Sequence, residues 1–132
     1  MNLLSRLLSR KPVLLLDGAM GTLMMEAGLR SGAPPEEWND SHPEAVRAIH
    51  EAYIKAGSDI ILTNSFGGNP FRLRSHGLEE SVFRLNTAAA EIAREASDSA
   101  GRIATEAEKA THHLRNASSD SDLPVLVGGS VG

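Results

Sequence analysis

The sequence predicts an α/β fold in which parallel strands alternate with helical crossovers in the order βαβαβ. Three apolar runs, Val13-Leu14-Leu15-Leu16-Asp17, Ile60-Ile61-Leu62-Thr63 and Val125-Leu126-Val127, read as buried strands because nothing in them alternates. Each run ends in polar residues or glycine, and α/β folds place their chemistry at such strand ends. Amphipathic segments separate the runs and are long enough to be crossover helices, which makes the strands parallel and the connections right-handed. Two architectures fit this order: the N-terminal part of a (βα)8 TIM barrel, or half of a doubly wound sheet. The turn after the first run, Gly18-Ala19-Met20-Gly21, lacks the G-x-G-x-x-G spacing of a dinucleotide site.

Taken in order, residues 2–10 form an amphipathic stretch with Leu3, Leu4, Leu7 and Leu8 on one face, expected as a short helix over the bottom of the sheet. A transit peptide is the alternative. The stretch has no long apolar core and no small-residue cleavage site, which argues against a secretory signal. After the strand at 13–17, a short helical segment over Thr22–Ala27 should end at Gly28. Residues 30–40 make a long loop rich in Gly, Pro and acids, and long loops are often functional.

A first long helix begins near Ser41, where Ser41 and Glu44 have capping-box spacing and Pro43 sits in the first turn. Val46, Ile49 and Tyr53 share one face, and Ala45, Ala48, Ala52 and Ala56 should let the helix lie close to the sheet. Gly57 ends it before the strand at 60–63. A short helical turn is expected before Gly77. A second long helix, from Glu79 to Gly101, carries Val82, Leu85, Ala89, Ile92, Ala93 and Ala96 at helical spacing. Residues 102–123 read as an insertion or linker, and the last strand follows at 125–127. A three-stranded sheet ending at Gly132 would leave its edges open, so residues 1–132 read as an incomplete barrel domain.

Composition narrows the function. The 132 residues suffice for one modest domain, with 41% hydrophobic and 23% charged residues. A net charge of −4 argues against nucleic acid, and no apolar run approaches the ~20 residues of a membrane span. With no cysteine there is no disulfide, thiolate nucleophile or Cys-ligated metal in this chain. The expected location is cytoplasmic.

Six polar or aromatic positions and two glycines bear on chemistry. Asp17 could accept hydrogen bonds from a substrate ammonium or cap its own turn. Gly18 and Gly21 allow close backbone approach to a ligand, or simply a tight turn. Thr63, Asn64 and Ser65 follow one another at a strand end, so not all can face one ligand. Phe66 could wall a pocket or enter the core. Trp38 could stack on a cationic methyl donor or anchor its loop. His42, His50, His112 and His113 read as structural or solvent-exposed, and no zinc spacing occurs.

Together these motifs resemble the homocysteine S-methyltransferase family, which includes betaine–homocysteine methyltransferases and the homocysteine-binding domain of cobalamin-dependent methionine synthase. The matching stretches are Asp17-Gly18-Ala19-Met20-Gly21-Thr22, Trp38-Asn39, His42-Pro43-Glu44-Ala45-Val46, Ala56 to Gly67, and Gly129-Ser130-Val131-Gly132. The resemblance covers about residues 12–100 and 124–132 and implies a (βα)8 barrel. It implies transfer of a methyl group from a donor such as betaine to the zinc-activated thiolate of homocysteine, giving methionine.

By the same resemblance, Asp17 and Gly18 hold the amino-acid end of homocysteine. Thr63, Asn64 and Phe66 line the pocket, and Trp38 contacts the donor. The family's zinc ligands are cysteines of later strands, which this chain lacks. The expectation is therefore an N-terminal portion that is inactive alone and binds no catalytic metal. A homo-oligomer is compatible with this reading. The alternatives are a non-catalytic scaffold, a partial chain completed by another subunit, or a different (βα)8 enzyme for an anionic substrate.

Overall fold

The computed structural model describes residues 2–111 and 123–132, with no side chains described over 101–111. Its helices are α1 (Leu3–Arg10), α2 (Gly21–Glu26), α3 (Trp38–Ser41), α4 (Pro43–Ala56), α5 (Pro70–Arg74) and α6 (Val82–Thr111). Single 3₁₀ turns at Pro35–Glu37 and Glu79–Ser81 lead into α3 and α6. The strands are β1 (Ile60–Leu62) and β2 (Leu126–Gly128), paired in parallel with Ile60 opposite Leu126 and Leu62 opposite Gly128.

The segment expected as the first strand runs beside β1 but meets it at a single parallel bridge, Leu16 to Ile60. The Asp17 N–H donates to the Ile60 carbonyl, and the Asp59 and Ile60 N–H groups both reach the Leu15 carbonyl. Nor is this run buried on both faces: Val13, Leu15 and Leu16 are 67%, 57% and 55% exposed. Among the described residues nothing covers these side chains, so an apolar run that reads as doubly buried is only half enclosed. The sheet is thus small, parallel and mixed with helices, with β1 in the middle.

Two clusters form the core. Met24, Leu29, Trp38, Val46, Ile49 and Ile92 gather where α2, the long loop, α4 and α6 meet. Ile61 of β1 packs under Ala93 and Ala96 of α6, flanked by Val125 and Val127. Small alanines do bring a helix close to the sheet, but they are those of α6. On α4, Ala48, Ala52 and Ala56 are exposed.

Several boundaries differ from expectation. Gly101 does not stop the second long helix, which continues to Thr111. A single internal glycine costs a helix only about 1 kcal/mol, and its neighbours are good helix formers. Residues 112–122, including His112, His113 and much of the expected linker, lie outside the described residues. The Ser41–Glu44 capping box does not form: Ser41 ends α3 and its hydroxyl donates to the Glu37 carbonyl, while His42 precedes α4 without a side-chain cap. Pro43 does open α4, and Gly57 ends it at φ 108°. On α1 only Leu7 is buried; Leu3, Leu4 and Leu8 face outward.

At the bottom of the sheet, Asp59 ties the pieces together. One carboxylate oxygen accepts from Lys11 Nζ at 2.8 Å and the other from the Leu15 N–H at 3.0 Å. Burial alone would raise its pKa, but the Lys11 ammonium and the Leu15 N–H outweigh that and lower it. No helix among the described residues is long and apolar enough to cross a membrane.

Candidate active site

A cavity of about 510 Å³ opens at the C-terminal ends of the parallel segments. Its walls are the Asp17–Gly18 turn, the Thr63–Gly67 strand end, the loop from Gly32 to Glu36, the Arg72–His76 region and Ser130. Seven of the residues singled out in the sequence therefore meet here: Asp17, Gly18, Gly21, Thr63, Asn64, Ser65 and Phe66. Trp38 does not join them. Its indole is buried in the larger core cluster and stacks on the His42 ring at 4.6 Å between centroids, so in this structure it anchors the loop.

Asp17 is held by its neighbours yet left partly unsatisfied. Oδ2 accepts from the Leu62 N–H at 3.0 Å, which fixes the carboxylate across the gap to β1. Oδ1 is buried and has no hydrogen-bond partner among the described residues. Burial raises the Asp17 pKa, opposed by the Leu62 and Asp17 backbone N–H groups. An acceptor oxygen buried without a donor is costly, and a cationic donor entering the cavity would relieve that cost. Beside it, Gly18 leaves room for α4: a Cβ there would lie 3.0 Å from the Tyr53 hydroxyl, which donates to the Ala19 carbonyl at 2.7 Å.

The hydroxyls at the second strand end are committed to one another. The Ser65 hydroxyl donates to the Ser130 carbonyl at 2.9 Å, and the Ser130 N–H donates to Thr63 Oγ1 at 3.0 Å. Thr63 and Ser65 lie 2.6 Å apart, and since the one Ser65 proton is already used, Thr63 is the donor between them. This closed ring ties the ends of β1 and β2 together. Thr63 therefore offers a ligand lone pairs rather than a proton.

Asn64 is similarly occupied. Its Nδ2 donates to the Pro35 carbonyl at 2.8 Å and to Asn39 Oδ1 at 2.9 Å. Asn39 Nδ2 in turn donates to the carbonyls of Asn64 at 2.8 Å and Leu85 at 3.2 Å. The pair binds the long loop to both β1 and α6. Phe66 is 57% exposed at the cavity edge, and the Arg72 guanidinium lies 5.9 Å from its ring centroid.

One residue escaped the sequence reading. Glu36, in the 3₁₀ turn, is buried and lines the cavity, and its Oε1 accepts from the Gly67 N–H at 2.6 Å. The available signal was an acid in a Pro-Pro-Glu-Glu-Trp turn directly before a buried anchor. Opposite it, a Cβ on Gly67 would sit 2.9 Å from Oε1, so a larger residue there would displace the Glu36 carboxylate. Among the described residues, no group of three or more His, Asp or Glu stands together as a metal site, and the sequence has no cysteine. The residues present do not fit a zinc–thiolate centre.

Comparison with known proteins gives the family. The profile of the homocysteine S-methyltransferase family matches residues 14–132. Two structures of the homocysteine methyltransferase MmuM from Escherichia coli are similar, both at 30% identity. The metallated form has a TM-score of 0.71 over 99% of this chain, and the oxidized form 0.73 over 100%. In each case the chain spans 41% of the length of the MmuM chain. An apolar run ending in Asp-Gly, a parallel neighbour ending in Thr-Asn-Ser-Phe-Gly and a family match across nearly the whole length lead to one conclusion: the chain belongs to the homocysteine S-methyltransferase family.

Proposed function

We propose that this chain supplies the amino-acid-binding corner of a (βα)8 homocysteine methyltransferase, with Asp17 taking the homocysteine ammonium. The observation that carries the reading is the buried, unpartnered Oδ1 of Asp17 at the cavity wall of a family member. An ammonium there would complete the acceptor's hydrogen bonding and pair its charge. Gly18 keeps the backbone close to the bound amino acid, and the Thr63–Ser65–Ser130 ring fixes the facing strand ends. In the reaction the homocysteine sulfur forms a bond to the donor's methyl carbon as the methyl–nitrogen or methyl–sulfur bond breaks. The bonding pair stays on the donor, and the product is methionine. Sulfur activation, by zinc in this family, is assigned to residues outside these 132. A cytoplasmic location and the two small-molecule partners, homocysteine and a methyl donor such as betaine, belong to the same proposal.

Asp17→Asn tests it, because the amide keeps an acceptor for Leu62 while removing the charge. Homocysteine affinity, measured by calorimetric titration, should fall at least about tenfold, equivalent to ~1.4 kcal/mol. Unchanged affinity would reduce Asp17 to a turn former.

A further inference from the structure

We infer that Glu36 is the specificity-determining residue for the methyl donor, the group that selects a donor whose methyl-bearing atom is cationic. The inference rests on the reading above, in which Asp17 takes the homocysteine ammonium.

Glu36 is 5% exposed, yet its only hydrogen bond among the described residues is the one Oε1 accepts from Gly67. Oε2 has no hydrogen-bond partner there, on a side chain that lines the cavity. Nor does a cation compensate it among those residues. Arg72, which shares the cavity, is placed over Phe66 and makes no ion pair with Glu36. Clamping Gly67 does not require a charge, because a neutral amide oxygen would accept the same N–H, so the second carboxylate oxygen is left for whatever enters the cavity.

The cavity thus holds two acids, Asp17 and Glu36. Homocysteine brings one ammonium, which Asp17 uses. A sulfonium or quaternary ammonium donor brings a second positive charge. That charge has no N–H to donate, so a nearby anion or an aromatic face stabilises it rather than a hydrogen-bond acceptor with defined direction, and the cavity offers Glu36 beside Phe66. The chemistry fixes how such an anion acts. As the S–CH3 bond forms and the donor's bond to methyl breaks, the departing electron pair neutralises the onium centre. A fixed carboxylate therefore favours the bound donor more than the transition state, and contributes donor affinity and selectivity rather than rate.

The test compares betaine with 3,3-dimethylbutanoate, its uncharged-centre isostere in which carbon replaces nitrogen, by titration into the homocysteine-loaded protein. Dimethylsulfonioacetate serves as the sulfonium probe. The native protein should prefer either onium compound over the isostere by about tenfold or more. Glu36→Gln should abolish that preference and leave homocysteine affinity within about twofold. Absence of the preference in the native protein overturns the inference without recourse to any variant. So does its persistence in Glu36→Gln. Failure of the native protein to bind homocysteine would instead overturn the reading of Asp17 on which the inference stands.

Discussion

Asn39 and Asn64 show how a residue at a strand end can also hold the scaffold together. Asn64 stands in a strand-end motif that reads as ligand-facing and lines the cavity, and its Nδ2 donates to Pro35 and Asn39. Nothing local reveals this, because the partners lie 25 and 29 residues away. The place of Asp17 at the cavity was legible, since an acid directly after an apolar run stands at a strand end, although the same spacing also suits a turn former. Glu36 was not, since its value depends on Gly67 across the cavity. Replacing Asn39 with leucine would strip donors from the buried Asn64 and Leu85 carbonyls and an acceptor from Asn64 Nδ2. The expected cost is about 3 kcal/mol, read from urea unfolding; a loss below about 0.5 kcal/mol would mean the network is incidental.

Among the elements, α4 carries two further tests. His50 is fully buried, both ring nitrogens lack partners among the described residues, and burial lowers its pKa to about 4. The unfolded chain takes up that proton near pH 6.5, before the folded protein does. Stability should therefore fall as pH drops from about 6.5 to about 4, by about 3 kcal/mol in total. His50→Leu should flatten that part of the pH profile, and an unchanged slope would show the imidazole is not held neutral. The sequence placed His50 only on the helix flank, because histidine's size and polarity suit either environment.

One turn further along α4, Tyr53 braces the Asp17–Gly18 turn. Gly18→Ala would press a methyl against the Tyr53 hydroxyl at 3.0 Å and should cost about 1–3 kcal/mol. Tyr53→Phe in the same protein should recover part of that loss, an interaction visible in a double-mutant cycle of unfolding free energies. Strict additivity would show that the contact is not the source of the strain. Helix faces on α6 were readable from spacing because one stripe of Leu85, Ala89, Ile92, Ala93 and Ala96 is buried. The end of α6 was not, because a glycine is a stop only when the chain turns there.

For the molecule as a whole, the parallel order around β1 followed from apolar runs separated by crossover-length helices. The burial of the first run did not. Val13, Leu15 and Leu16 have the composition of a strand enclosed on both faces, but enclosure depends on neighbours that composition does not name. Trp38 makes the same point in reverse: it lies in a polar loop, and the fold turns it into the core. What the architecture does assemble is a cavity at the strand ends, with the Asp17 carboxylate fixed by Leu62 on one oxygen and without a partner among the described residues on the other. The most direct measurement is a calorimetric comparison of homocysteine with 4-sulfanylbutanoate, which lacks only the amino group, in the native protein and in Asp17→Asn. The native protein should favour homocysteine by about tenfold or more, and Asp17→Asn should bind the two alike. Equal discrimination in both proteins would place the ammonium elsewhere and contradict the account.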